Sequence, residues 1–220
     1  MTPTSSRRFF RNNGLTLVLL AFFLITLGGG QFLTGRAEYN AERAERGLPP
    51  VGLAAYLGSP HFIEATAENW ESEFFQMFVY VTLTVFLFQK GSAESKDPAE
   101  PVTPEPPLTA RSPWAARRGG WVRRIYEHSL SLALGGLFLG SFVLHAIGGN
   151  RLRNEEAAAH GGAMLSTLGY LGTARFWFES FQNWQSEFLS IGLMVLLTVF
   201  LREKNSPESK PVNMPHGEHE

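Results

Sequence analysis

The chain has 220 residues and a net charge of −1; 44% of its residues are hydrophobic and 18% are charged. The basic residues form no continuous stripe interleaved with aromatic residues, so the sequence carries no signature of nucleic-acid binding. It contains no cysteine, which excludes disulfides, thiol chemistry and cysteine-bound metal. We predict neither a metal nor a cofactor.

The N-terminal segment SSRRFFRNN is basic, and residues 12–35 after it carry no charged side chain. Roughly 20 apolar residues in a helix cross a hydrocarbon core of about 30 Å, so the sequence predicts a first span at about residues 14–35. The arginine pair in this segment resembles a twin-arginine export signal. A second pair, Arg123 and Arg124, stands at the corresponding place before a later apolar run, which favours a membrane anchor.

Residues 36–59 form a polar connector that is broken at Pro49 and Pro50. The serine and proline at positions 59 and 60 are typical of a helix start. From there a helix is predicted to continue into a second span at about residues 70–89. Only 16 residues between Glu73 and Lys90 are uncharged, which is short for a membrane span.

The middle of the chain, residues 97–113, is rich in proline and acidic residues and is predicted to be a cytoplasmic linker that does not fold. The segment WAARRGGWVRRIYE follows it, and its arginines and tryptophans suit an anionic membrane surface. Third and fourth spans are predicted at about residues 128–149 and 184–202. The residues after the fourth span, 202–220, are polar and end in the tail 211–220, and we expect them to be disordered.

Part of the sequence occurs twice. The segments Tyr56–Lys96 and Tyr170–Lys210 are identical at 20 of 41 positions at a fixed offset of 114 residues, which indicates an internal duplication. We predict an all-α membrane protein of four transmembrane helices, arranged as two tandem two-helix units at residues 1–96 and 114–210.

The orientation follows from the basic residues. The N-terminus, the central linker and the C-terminus hold 13 of the 19 lysines and arginines, whereas the two remaining connectors hold six, together with 11 of the 20 acidic residues. By the positive-inside rule both termini are predicted to be cytoplasmic. The two units then have the same orientation, with a pseudo-twofold axis along the membrane normal.

The repeated motif NWxSEF provides the candidate site. Asn69 and Glu73 share one helix face, as do Asn183 and Glu187 in the second copy. One interpretation is a pair of carboxylates, Glu73 and Glu187, that binds a cation or shares a proton. The other is that the two glutamates extend toward the headgroups or cap a neighbouring backbone.

Three further predictions concern the apolar runs. Trp70 and Trp184 are predicted to anchor their helices at the membrane interface. Gly136 and Gly140 form a GxxxG pattern, which is typical of close helix packing. We interpret His145, near the outer end of the third span, as a histidine that is satisfied by a neighbour rather than as a proton relay or ligand.

The segments YLGSPHFIEATAENWESEF and FLFQKGSAESKDP, together with GRAEYN at residues 35–40, resemble an uncharacterised family of small bacterial integral membrane proteins, a domain of unknown function. The resemblance implies a bacterial inner-membrane location and brings no established activity.

No Walker, HExxH, GxSxG or dinucleotide-binding motif is present, so we do not expect an enzyme. The favoured hypothesis is a non-enzymatic helix-packing or envelope-support module whose partners are the lipid bilayer and a second copy or another membrane protein. The alternative is a small transporter or channel for ions, protons or a small solute, with its site at the repeat interface.

Overall fold

The computed structural model describes residues 5–97, 104–216 and 218. These residues are mainly helical and include no β-strand, in agreement with the predicted all-α class. The helices are α1 (Ser5–Leu24), α2 (Phe32–Glu45), α3 (Leu53–Leu57), α4 (Pro60–Leu83), α5 (Trp114–Arg118), α6 (Gly120–Glu127), α7 (Ser129–Ala159), α8 (Thr167–Leu171) and α9 (Ala174–Phe200), with a π-helical segment at Ile25–Gln31.

The first helix is continuous through the π-helical segment, because the residues at both of its junctions keep right-handed helical dihedrals. The π-helical segment contains three consecutive glycines, Gly28 to Gly30. Glycine lowers helix propensity and places no side chain on the helix surface, which lets the backbone widen locally. The helix ends where Gly47 adopts a φ of 69°, a left-handed position that suits glycine after a helix C-terminus.

Two helices are long and apolar enough to cross a membrane, among the residues that the structure describes. They are Arg8–Glu45, with 38 residues, and Ser129–Ala159, with 31 residues. They contain most of the predicted spans 14–35 and 128–149. The other two predicted spans fall in α4 and α9, which do not meet the same criterion of length and hydropathy.

The second predicted span, residues 70–89, is not helical throughout. Helix α4 ends at Leu83, and turns follow in which Val85 and Phe86 donate to the carbonyls of Thr82 and Leu83. The hydroxyls of Thr82 and Thr84 also bond to backbone carbonyls within the last turns. Four of the five residues in the sequence VTLTV at positions 81–85 are β-branched, which disfavours continuation of the helix.

The C-terminal tail is folded up to residue 216, which contradicts the expected disorder in that part. Nζ of Lys210 donates to the carbonyls of Pro215 and His216, at 3.5 and 3.0 Å. Arg202 donates to the carbonyl of Met214 at 3.1 Å. Nδ1 of His216 lies 3.2 Å from the carbonyl oxygen of Val199. These contacts hold the tail against the end of α9.

The chain packs into two compact units. One comprises Met1–Thr66 and Ile147–Thr167, and the other comprises Ala67–Ala146 and Leu168–Glu220. The predicted two-helix units at residues 1–96 and 114–210, with the linker 97–113 between them, stay a prediction. The predicted boundary depends on the sequence repeat, whereas the two units reflect which helices pack together.

The first unit is centred on tyrosines. Tyr39 and Tyr56 are buried, and the hydroxyl of Tyr56 lies 3.0 Å from Nδ1 of His61. A Cβ atom at Gly35 would overlap that hydroxyl, so the glycine of the GRAEYN segment is needed for this packing. The hydroxyl of Tyr39 donates to Glu155 at 3.1 Å.

Glycine also brings α7 close to α4 in this unit. A Cβ at Gly148 would lie 2.7 Å from the backbone nitrogen of Glu64. The predicted packing residues behave differently: a Cβ atom at Gly136 or Gly140 would meet no heavy atom of the described residues within 4 Å. Within the second unit the close approach occurs one residue earlier, where Gly135 faces the ring of Phe78.

Several side-chain hydrogen bonds recur at positions 114 residues apart. Asn40 bonds to both the backbone nitrogen and the carbonyl of Val51, at 2.8 and 3.2 Å. Asn154 makes the same two bonds to Leu165, at 2.9 and 2.8 Å. The hydroxyls of Ser95 and Ser209 likewise accept from the backbone nitrogens of Gln89 and Glu203.

Candidate functional site

A buried imidazole in the second unit lies against a buried carboxylate. Nδ1 of His145, on α7, lies 2.7 Å from Oε2 of Glu71, on α4. Both residues are 0% exposed. Because a buried charged or polar group is costly without a partner, this contact satisfies two side chains that otherwise would not be stable at this depth.

A second carboxylate lies on the other side of the same ring. Nε2 of His145 is 3.5 Å from Oε2 of Glu179, on α9, a distance at the outer limit of a hydrogen bond. The hydroxyl of Tyr170 donates to that Oε2 at 2.6 Å. Nε of Arg175, one helical turn before Glu179, donates to Oε1 at 2.9 Å.

Glu179 is held in its ionised form. Burial alone would raise the pKa of this carboxyl, but the nearby imidazole of His145, 3.5 Å away, and the hydrogen bonds from Tyr170 and Arg175 outweigh burial and lower the pKa to about 2. Hydrogen bonds to the charged form of a carboxyl favour that form.

Aromatic residues close the cluster. Nε1 of Trp184 donates to Oε1 of Glu71 at 3.0 Å, so both oxygens of this carboxylate have partners. The ring of Phe176 lies over the imidazole of His145, with ring centroids 4.8 Å apart. Glu68 is hydrogen-bonded to the side-chain amide of Asn183. We call Glu71, His145, Glu179, Tyr170, Arg175 and Trp184 the charged cluster.

Local sequence explains how the cluster is positioned. Thr173 caps the start of α9, because its hydroxyl accepts from the backbone nitrogen of Phe176 and donates to the carbonyl of Tyr170. This cap fixes the turn between α8 and α9, and it thereby brings Tyr170 to within hydrogen-bonding distance of Glu179. Glu68 and Glu71 are three residues apart on α4 and share one helix face.

The four candidate site residues of the NWxSEF motif differ in their burial and in their contacts. Glu73 is exposed and Glu187 is half-buried; the two interact electrostatically, but neither belongs to the charged cluster. Asn69 is exposed, whereas its counterpart Asn183 contacts Glu68. The function of the Glu73 and Glu187 pair stays a prediction.

The two tryptophans of the motif also differ. Trp70 is 38% exposed, in keeping with a position at a surface. Trp184 is half-buried, and its ring lies 4.5 Å from that of Phe75 in addition to the hydrogen bond with Glu71. Trp184 therefore has a role inside the second unit, and its position at a membrane interface stays a prediction.

Of the three residues at the centre of the charged cluster, Glu71, His145 and Glu179, the sequence analysis identifies only His145. His145 is predicted to pair with a neighbour, and in the structure it pairs with Glu71. The repeated motif does not identify Glu71 or Glu179. A comparison of the two copies could have identified all three residues, because none of them is repeated. The residues 114 positions away from Glu71, His145 and Glu179 are Gln185, Gln31 and Ala65.

A family model described as a domain of unknown function (DUF6766) matches residues 6–220. The chain belongs to this family. The match confirms the resemblance to an uncharacterised family, and the model's description names no activity. The membrane location and the bacterial origin that the resemblance implies stay predictions. No curated protein and no solved structure matches it.

Proposed function

We propose that this DUF6766 protein is an integral membrane protein with four spans. The proposal is supported by apolar side chains that are exposed along all four predicted spans. These include Leu15, Phe22 and Ile25 in the first, Met77 and Leu83 in the helical part of the second, Leu137 and Leu139 in the third, and Leu189 and Phe200 in the fourth. Soluble monomers rarely expose apolar surface on this scale, whereas lipid covers it.

The four spans form two tandem units that arose by duplication, with both termini in the cytoplasm of a bacterial cell. The identical residues at an offset of 114 support the duplication, and the excess of lysine and arginine in the N-terminus, the central linker and the C-terminus supports the cytoplasmic termini. The recurring bonds of Asn40 and Asn154 support the duplication independently, because they close the polar connectors after the first and third predicted spans in the same way.

We further propose that the protein acts as a non-enzymatic module that packs helices in the membrane and supports the cell envelope. The observation that carries this proposal is the burial of Glu71 and His145 in contact with each other. Interhelical polar contacts of this kind join helices in a medium that provides no hydrophobic driving force for their association. Side chains with no exposed surface favour a packing role over chemistry on a soluble substrate.

Two experiments test the membrane location and the topology. Protein that resists alkaline extraction from membranes and needs detergent for solubility supports the proposal. Reporter fusions after residues 48, 108, 162 and 216 are expected to place the first and third reporters in the periplasm and the other two in the cytoplasm. A reporter at residue 108 that is active in the periplasm would overturn the proposed topology.

A second candidate function, transport of protons or cations, is favoured by the geometry around His145. Its Nε2 has no well-formed hydrogen bond, while acceptors lie on both sides of the ring. An imidazole in this position can accept a proton at one nitrogen and release it from the other.

Reconstituted protein distinguishes the two candidates. If the charged cluster carries transport, proton flux under a pH gradient is lost in Glu71→Gln and kept in Glu73→Gln, the matched change two residues away at an exposed position. Loss in Glu73→Gln and Glu187→Gln instead indicates the carboxylate pair predicted from the motif. The absence of flux from the unmutated protein under proton and cation gradients eliminates transport.

A further inference from the structure

The segment formed by α5 and α6 presents large aromatic side chains to the outside. Trp114 is 61% exposed and Trp121 is 73% exposed, and Ile125 and Tyr126 are also exposed. Trp121 and Ile125 are four residues apart and lie on the same face of α6. Tryptophan and tyrosine with one apolar and one polar side are characteristic of the membrane interface.

Three arginines accompany these aromatic residues. Arg117, Arg118 and Arg124 are exposed, and the guanidinium of Arg118 lies over the ring of Trp114 at 5.4 Å. The fourth arginine has another role. Arg123 is bonded to Glu127 at 2.7 Å and to Glu105 at 2.9 Å, so it joins the linker to α6.

This segment directly precedes a candidate membrane span. Helix α6 ends at Glu127, and α7, one of the two helices apolar enough to cross a membrane, begins at Ser129. Only His128 separates them. If α7 crosses the bilayer, the segment before it lies at the membrane surface, where exposed arginines and tryptophans meet lipid headgroups.

We propose that residues 114–127 form a binding surface for anionic phospholipid headgroups, with Arg117, Arg118 and Arg124 pairing with phosphate and Trp114 and Trp121 inserted at the interface. This inference rests on the proposed membrane location. Charge complementarity selects the ligand, since guanidinium groups bind phosphate in a bidentate geometry and clusters of basic residues next to a span attract anionic lipid.

The test uses the full chain, whose lack of cysteine allows specific labelling of a single introduced thiol. A fluorescent donor is attached to Ala115→Cys in vesicles of phosphatidylcholine, and energy transfer is measured to headgroup-labelled phosphatidylglycerol or phosphatidylcholine. We expect the anionic lipid to be preferred by about tenfold at low salt. The preference should decrease at high salt because surface charges are screened.

The decisive variant replaces Arg117, Arg118 and Arg124 by glutamine and is expected to abolish the preference. Its matched control replaces Arg43, Arg46 and Arg151 by glutamine. This control removes the same charge from the connectors after the first and third predicted spans, and it should keep the preference for anionic lipid. Protein that resists alkaline extraction yet shows no lipid preference overturns this inference and leaves the membrane proposal intact. Protein that is removed by alkaline extraction overturns both.

Discussion

Oε2 of Glu71 lies 2.7 Å from Nδ1 of His145, although the two residues are 74 positions apart in the chain. Because neither side chain has exposed surface, removal of one leaves the other buried without its partner. We predict that Glu71→Ala lowers the free energy of unfolding by about 3 kcal/mol. Thermal unfolding in detergent, followed by circular dichroism, measures the change.

Two variants serve as controls for that measurement. Glu71→Gln keeps an acceptor for Nε1 of Trp184, and glutamine is the residue at the equivalent position 185, so we expect a smaller loss of stability than with alanine. Glu73→Ala removes an exposed carboxylate and should change the free energy of unfolding by about 0.5 kcal/mol or less. Equal effects at positions 71 and 73 would contradict the buried contact.

The helical class and the approximate positions of the apolar runs could be predicted from the sequence, because they depend on local composition. The pairing of His145 could be expected in general terms, since a buried imidazole needs a partner. The identity of that partner could not. Glu71 and Glu73 stand in the same motif, and only the packing of α4 against α7 and α9 determines which of the two is buried.

The predicted second span, residues 70–89, extends beyond the end of α4 at Leu83, because hydropathy does not show where a helix ends. The apolar run continues beyond Leu83, and hydropathy does not register that Thr82 and Thr84 bond to the backbone there. The folded tail is not predictable in this way, because its contacts are made by polar groups, mainly Lys210 and Arg202 to backbone carbonyls. Composition alone predicts disorder for such a segment.

Glycines on α7 provide a second prediction. Gly148→Ala would place a Cβ 2.7 Å from the backbone nitrogen of Glu64, and the backbone of α4 cannot move away as a flexible side chain could. We therefore expect a loss of about 1–3 kcal/mol in the free energy of unfolding. Gly136→Ala on the same helix meets no described atom within 4 Å and should be neutral or stabilising, because alanine is the better helix former.

The comparison of these two variants uses the same substitution in one helix, so it isolates the effect of the contact. Unfolding in detergent measures stability. If Gly136→Ala leaves stability unchanged but reduces the population of a dimer in cross-linking, the GxxxG pattern of Gly136 and Gly140 packs against a second copy. Destabilisation by Gly136→Ala and not by Gly148→Ala would contradict the packing described above.

The two asparagines in the outer connectors provide a third prediction. Asn40→Ala and Asn154→Ala each remove two hydrogen bonds to the backbone, at Val51 and Leu165. We expect each variant to lose about 1–2 kcal/mol of stability. Hydrogen exchange should increase at the amide of Val51 in the first variant and at that of Leu165 in the second. Asn13→Ala, which removes one exposed bond within α1, is the control.

The last prediction concerns pH. The pKa of Glu179 is about 2 in the folded protein, below the usual value near 4.5 that it regains on unfolding. The folded state therefore binds fewer protons than the unfolded state between these values, and stability rises with pH across that window. The contribution of Glu179 is fully present above about pH 4.5 and is lost as the pH falls toward 2.

Substitution of Glu179 tests whether its carboxyl causes this pH dependence. Glu179→Gln should flatten the dependence of the melting temperature on pH between about 4.5 and 2, because the titrating group is absent. Tyr170→Phe removes one of the bonds that stabilise the carboxylate, so we expect a weaker dependence rather than a flat one. Thermal unfolding across this range, compared with Glu73→Gln, makes the measurement. An unchanged slope in Glu179→Gln would show that other carboxyls determine acid stability, and that His145, Tyr170 and Arg175 do not hold Glu179 in its charged form.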